Sequence, residues 1–204
     1  MPRTDERGGP QTRARILEVA HHLFLERGYD AVTVAEVARG AGVSSVTVFN
    51  HFPRKEDLFL DRTDDAANLL RAAVRDRAAG LDVLASLRGM TLRLIEDRQP
   101  LSGVDPRSVD FFRTVAGSPA LVARAREIVA ELQGTLGEEL ERDAAFQGDP
   151  QLFAALFVAG YATVMVETAR RVIAGESPDA VLDDHRARFD LLFDALRHGF
   201  DTRW

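Results

Sequence analysis

Four times in the second half of the chain a helix-capping residue is followed at once by proline: Asp105-Pro106, Ser118-Pro119, Asp149-Pro150 and Ser177-Pro178. The capping side chain accepts a backbone N–H of the first turn, and proline at the first helical position gives up only an N–H that has no helical partner. Each pair therefore predicts a helix start. With Gly80, Gly148, Gly175 and Gly199 as stops, helices are predicted over 55–79, 82–98, 106–115, 119–145, 150–174 and 178–199. No alternating strand pattern, repeat or low-complexity tract interrupts them. The chain reads as all-α.

The first third is punctuated differently. From Gln11 to Arg27, apolar residues recur at Ile16, Ala20, Leu23 and Phe24, the spacing of an amphipathic helix, and Gly28 ends it. Thr33 and Glu36 then form a capping box, so a second helix starts near residue 34 and stops at Gly40 or Gly42. Ser44 caps a third helix that must end before Pro53. This third helix holds Val46, Thr47, Val48 and Phe49, residues that prefer strands. Such residues stay helical when one face packs on its neighbours. Val43, Val48 and Phe52 make that inner face, which leaves Ser44, Ser45, Val46, Thr47, Asn50 and His51 outward.

A helix, a tight glycine turn and a second short helix form a helix-turn-helix, whose second helix enters the DNA major groove. Small hydroxyl and amide side chains approach base edges and phosphates without bulk, and the Val46 methyls suit a thymine methyl. The alternative is a third helix that only completes a small core. Charge permits the DNA reading: the chain carries −6 overall, yet residues 1–62 hold nine basic and nine acidic groups, so the head is neutral on an acidic body. Between residues 10 and 55 six basic groups face four acidic ones.

The run Gly42-Val43-Ser44-x-x-Thr47-x-Phe49-x-His51-Phe52-x-x-Lys55-Glu56-x-Leu58, with Ala35-x-x-Ala38-x-x-Ala41 and Phe24-x-x-x-Gly28-Tyr29 before it, closely resembles the tetracycline-repressor (TetR) family of bacterial transcriptional regulators over residues 11–60. Beyond residue 60 only length and helix count agree. The resemblance implies a three-helix DNA-binding head joined by a long helix to a helical bundle that binds ligand and dimerises. On that reading residues 1–10 are a flexible arm, 11–54 the DNA-binding domain and 55–204 the ligand-binding and dimerisation domain. It implies DNA contacts at Thr33, Ser44, Ser45, Val46, Thr47, Phe49, His51 and Lys55, to which the outward face read above adds Asn50. Position 49 is usually tyrosine in the family, with its hydroxyl on a phosphate; Phe49 forgoes that bond, at about 1 kcal/mol per half-site.

The resemblance further implies a homodimer on a palindromic double-stranded operator, released by a small-molecule effector, in a bacterial cytoplasm and at the nucleoid when bound. The apolar circumference of 150–174 independently suggests an interface. Phe153, Phe157 and Val164, with Phe189, Leu192, Phe193 and Leu196 on the last helix, are the expected dimer contacts. Met90, Leu94, Phe111, Phe112, Tyr161 and Met165 are the candidate effector contacts, because soft and aromatic side chains suit an apolar pocket. Phe111 and Phe112, being adjacent, cannot both face one core, so one is expected to face a cavity.

No cofactor is expected. The absence of cysteine excludes disulfides and thiolate metal sites and points to a reducing compartment. Five histidines show no metal spacing, Asp183-Asp184-His185 reads as a solvated helix start, and no nucleophile or phosphate-loop motif argues for an enzyme. The charge-free stretch from Gln151 to Val166 is shorter than the roughly 20 residues of a membrane span, so no membrane partner is expected. The remaining rival is a ligand-binding or adaptor dimer with weak or lost DNA affinity.

Overall fold

The computed structural model describes residues 9–199; the expected arm at residues 1–10 lies almost wholly outside them, and Gly9 and Pro10 open the first helix. Among the described residues nine α-helices follow in order: α1 (Pro10–Arg27), α2 (Val34–Gly40), α3 (Ser45–His51), α4 (Thr63–Arg75), α5 (Val83–Glu96), α6 (Ser108–Gly117), α7 (Pro119–Arg142), α8 (Pro150–Ile173) and α9 (Pro178–His198). There is no strand among the described residues. The caps at Asp149 and Ser177 form as predicted, accepting the N–H of Leu152 at 2.9 Å and of Ala180 at 3.1 Å. The other two pairs act differently. Asp105 folds back onto the Arg107 N–H at 2.7 Å, which moves the start of α6 to Ser108. The Ser118 hydroxyl donates to Asp30 at 3.2 Å.

Packing divides the chain into two units. The first runs to Asp61 and takes in residues 114–124. Its core joins Ile16, Ala20 and Phe24 of α1 to Val37 and Ala38 of α2, Val48 of α3, Phe52, Leu58 and Leu121. The rings of Phe24, Tyr29 and Phe59 close one side, with centroids 5.2–6.0 Å apart. Arg124 pairs with Asp57 at 2.7 Å.

The long helix expected over 55–79 is a single 3₁₀ turn, Glu56–Leu58, followed after a break by the shorter α4. Leu58, Phe59 and Leu60 all pack against the head core. Three consecutive residues of an α-helix spread over about 200° and cannot share one face, so the chain leaves the helical path until Thr63.

The second unit holds residues 62–113 and 125–199 of the described chain. Its core is built from Leu70 and Val74 of α4, Leu87 and Ile95 of α5, Leu136 and Leu140 of α7, Phe157 of α8 and Phe189 of α9. Arg75 grips the buried Glu139 with two hydrogen bonds of 2.5 and 2.6 Å, tying α4 to α7. α8 and α9 run antiparallel: Phe157 meets Phe193, Tyr161 meets Phe189, and Thr168 meets His185. A methyl placed on Gly160 would stand 2.3 Å from Leu192 Cδ1, so the two helices approach closely there. By length and composition α8 is also long and apolar enough to cross a membrane. Its charge-free run ends at Val166, and Glu167, Arg170 and Arg171 follow before the helix closes.

Candidate nucleic-acid interface

The turn between α2 and α3 rests on one conformation. Gly42 has φ +65°, in the left-handed region that glycine enters freely, and the Val43 N–H reaches back to the Ala38 carbonyl at 2.9 Å. α2 is itself fixed by its predicted capping box: the Thr33 N–H and hydroxyl both donate to Glu36, at 2.8 and 2.7 Å, and Arg27 pairs with the same carboxylate at 2.8 Å. The Thr33 hydroxyl bond, its backbone N–H and then Arg27 hold the Glu36 carboxyl down at about 2. Thr33 thus spends its hydroxyl within the head.

α3 divides as its sequence predicts. Val48 and Phe52 are buried and Val43 is half-buried against the same core. Ser44 caps the helix, accepting the Thr47 N–H at 3.0 Å, and the two hydroxyls lie 2.9 Å apart. On the outer face Val46 is 68% exposed and Phe49 is 47% exposed, with Ser44 and Asn50 also exposed and Ser45, Thr47 and His51 half-covered. The side chains named for this face from sequence are therefore together on one helix. Lys55 is the departure. Its ammonium donates to the Tyr29 carbonyl at 2.6 Å and lies 4.1 Å from the centre of the Tyr29 ring, and desolvation lowers its pKa. It clamps the turn after α1, a role that spacing could not reveal because its partner is 26 residues away.

The candidate effector residues do not converge. Met90, Leu94 and Tyr161 belong to the bundle core, with the Tyr161 hydroxyl on the Leu101 carbonyl at 3.0 Å, whereas Phe112 and Met165 belong to a smaller cluster around Val172 and Val181. Phe111 points outward to solvent, 39% exposed, where sequence reasoning expected a cavity. Of the candidate dimer contacts, Phe157, Val164, Phe189 and Phe193 are buried in their own chain, and Phe153, Leu192 and Leu196 are half-buried against the same core. The exposed apolar residues of α8 are instead Leu152, Leu156 and Val166, with Leu191 on α9. A shallow groove of about 340 Å³ lies on that face, lined by Ala162, Thr163, Val166, Glu167 and Arg170.

His185 corrects the reading of 183–185 as a solvated helix start: it is 1% exposed. Its Nδ1 lies 2.7 Å from the Thr168 hydroxyl, and among the described residues its Nε2 has no hydrogen-bond partner. Burial pushes its pKa down to about 4, against smaller upward pulls from the Ser102 backbone and Asp184. The unfolded chain, with an ordinary histidine near 6.5, then binds the proton that the folded chain refuses. Stability from this group is complete above pH 6.5 and falls as the pH drops towards 4, by roughly 3 kcal/mol. Urea unfolding of wild type and His185→Leu at pH 7.5 and 4.5 checks it: the variant should lose less stability on acidification, and equal losses would contradict it.

Residues 16–61 match the model of the family described as bacterial regulatory proteins, tetR family. Across 95% of this chain and 86% of the relative, the sequence is 28% identical to the HTH-type transcriptional regulator TcmR of Streptomyces glaucescens. It is 34% identical over 93 residues, 44% of each protein, to the HTH-type transcriptional repressor KstR2 of Rhodococcus jostii (strain RHA1). Among solved structures, Thermus thermophilus FadR, a TetR-family repressor in complex with lauroyl-CoA, shares the fold with a TM-score of 0.58 at 24% identity, covering 94% of this chain and 96% of that one. SmeT in complex with triclosan shares it with a TM-score of 0.58 at 18% identity, over 95% and 94% of the two chains.

Proposed function

We propose, for a chain that belongs to the tetR family of bacterial regulatory proteins, a sequence-specific DNA-binding transcriptional regulator that acts as a homodimeric repressor on a palindromic operator and leaves it when a small apolar ligand binds. The observation that carries this is the outer face of α3, where Val46, Phe49 and Asn50 are exposed and Ser45 and Thr47 half-exposed while Val48 and Phe52 anchor the helix from behind. The names of the curated relatives, HTH-type regulators and repressors, support the same activity. Repression needs only that the bound protein occlude a promoter.

A dimer is supported by the outward stripe of α8. Leu152, Leu156, Ala159, Thr163 and Val166 follow one another at spacings of four and three residues, so they share a face, and large apolar side chains on it favour burial against a second copy. Two-fold symmetry would present two α3 helices to two half-sites. The ligands held by two fold relatives, lauroyl-CoA and triclosan, favour an effector with a large apolar part.

Selection of bound sequences from a random duplex pool, followed by titration at 50 and 200 mM salt, tests the reading. A palindrome should emerge, and its affinity should fall about a thousandfold between the two salts as phosphate contacts release counterions. Thr47→Ala should weaken binding about 5-fold per half-site, about 30-fold for a dimer, with an unchanged circular dichroism spectrum. Phe49, which lacks the family's phosphate-binding hydroxyl, favours one second reading, a ligand-binding or adaptor dimer. Folded, dimeric protein that selects no motif would establish that reading.

A further inference from the structure

The DNA reading leaves one feature of α3 unexplained. Two exposed side chains of its outer face, Val46 and Phe49, carry no polar atom, on a surface that otherwise offers hydroxyls and an amide. They stand three residues apart and so are neighbours on one face, with Cβ atoms about 5–6 Å from each other. Neither is part of the head core, which α3 joins through Val48 and the following Phe52. In water this pair exposes apolar surface for no structural return.

The major groove presents one methyl group, the C5 methyl of thymine, among base edges otherwise read through hydrogen-bond donors and acceptors. A polar base edge set against Val46 or Phe49 would lose its water and gain no partner. We propose that Val46 and Phe49 are a paired thymine reader: each half-site of the operator carries two C5 methyl groups that pack on these two side chains. Successive base pairs rise about 3.4 Å, so the side chains span one or two base steps. The two methyls accordingly lie on neighbouring or next-neighbouring base pairs, flanked by positions read through Thr47 and Asn50. This deepens the proposed operator binding and rests on it.

The test is a methyl scan of the selected operator, replacing each thymine in turn by uracil, which removes the methyl and leaves the hydrogen-bonding edge intact. Two positions per half-site should each lose about 3- to 5-fold in affinity, the effect of withdrawing one buried methyl, and the remaining thymines should tolerate the change. Val46→Ala should erase the sensitivity at one of those positions and Phe49→Ala at the other. Both side chains are outside the core, and circular dichroism with a thermal melt verifies that the variants fold. Uniform tolerance of uracil by an operator that still binds, or sensitivity that persists unchanged in both variants, overturns the methyl reader and leaves operator binding standing. Failure to bind any duplex overturns both.

Discussion

Phe157→Ala is expected to cost the bundle about 3–5 kcal/mol. Phe157 is 1% exposed and sits at the centre of the larger core, its ring 6.0 Å from that of Phe193 and 6.1 Å from that of Tyr161. Truncation loses both the transfer free energy of the ring and the contacts of its neighbours, which cannot collapse into the space. α8 is held against α9 on one side, with Gly160 already close to Leu192, and Leu136 and Leu140 of α7 share the same core. Against a typical total of 5–15 kcal/mol the loss is a large fraction of stability. It should lower the melting temperature by roughly 10–15 °C in a chain of this size. A thermal melt followed by circular dichroism checks it. A loss below about 1 kcal/mol would mean that this face of α8 is not the inner one.

Leu156→Asp, one residue earlier, is expected to do the opposite: the fold survives and the dimer does not. Leu156 is 49% exposed and lies on the stripe that also carries Leu152 and Val166. A carboxylate there stays hydrated in the monomer. In a two-fold interface it would be buried, and one copy of the same face comes from each chain, so two charges would enter together without partners. Sedimentation equilibrium should give the monomer mass, with the helical spectrum retained. Operator affinity should fall by about 100-fold or more, because the second half-site contact no longer benefits from the high effective concentration that the first provides. A variant that remains dimeric places the interface elsewhere and removes the stripe from consideration. The two neighbours together separate what α8 does for its own chain from what it does for another.

Lys55 and His185 show the limit of local reading in opposite directions. Lys55 sits where the family resemblance places a phosphate contact, yet its ammonium is bound to the Tyr29 carbonyl. His185 follows two aspartates and reads as surface, yet it is buried with Thr168, while Asp184 is turned towards Arg171 and Arg188. In each case the deciding partner lies on another element, and nothing within a turn of the residue announces it.

What the sequence by itself determined was settled within a few residues of chain. The capping box of Thr33 and Glu36, the Ser44 cap, the Gly42 turn and the Asp149 and Ser177 starts all form where they were read, because a cap satisfies backbone N–H groups one turn away and needs no distant neighbour. The inner and outer faces of α3 were legible for a related reason: Val43, Val48 and Phe52 recur at spacings of five and four residues and return to one side, which leaves Val46 and Phe49 outside it. Tertiary structure alone decided the rotation of α8, the break at residues 59–62, and the joining of residues 114–124 to the head. α8 is apolar around most of its circumference, so its own periodicity is satisfied by several rotations. The one adopted is fixed by Phe189, Phe193 and Leu192 on α9, against which Phe157, Tyr161 and Gly160 pack, and Leu152, Leu156 and Val166 are left facing outward as a consequence.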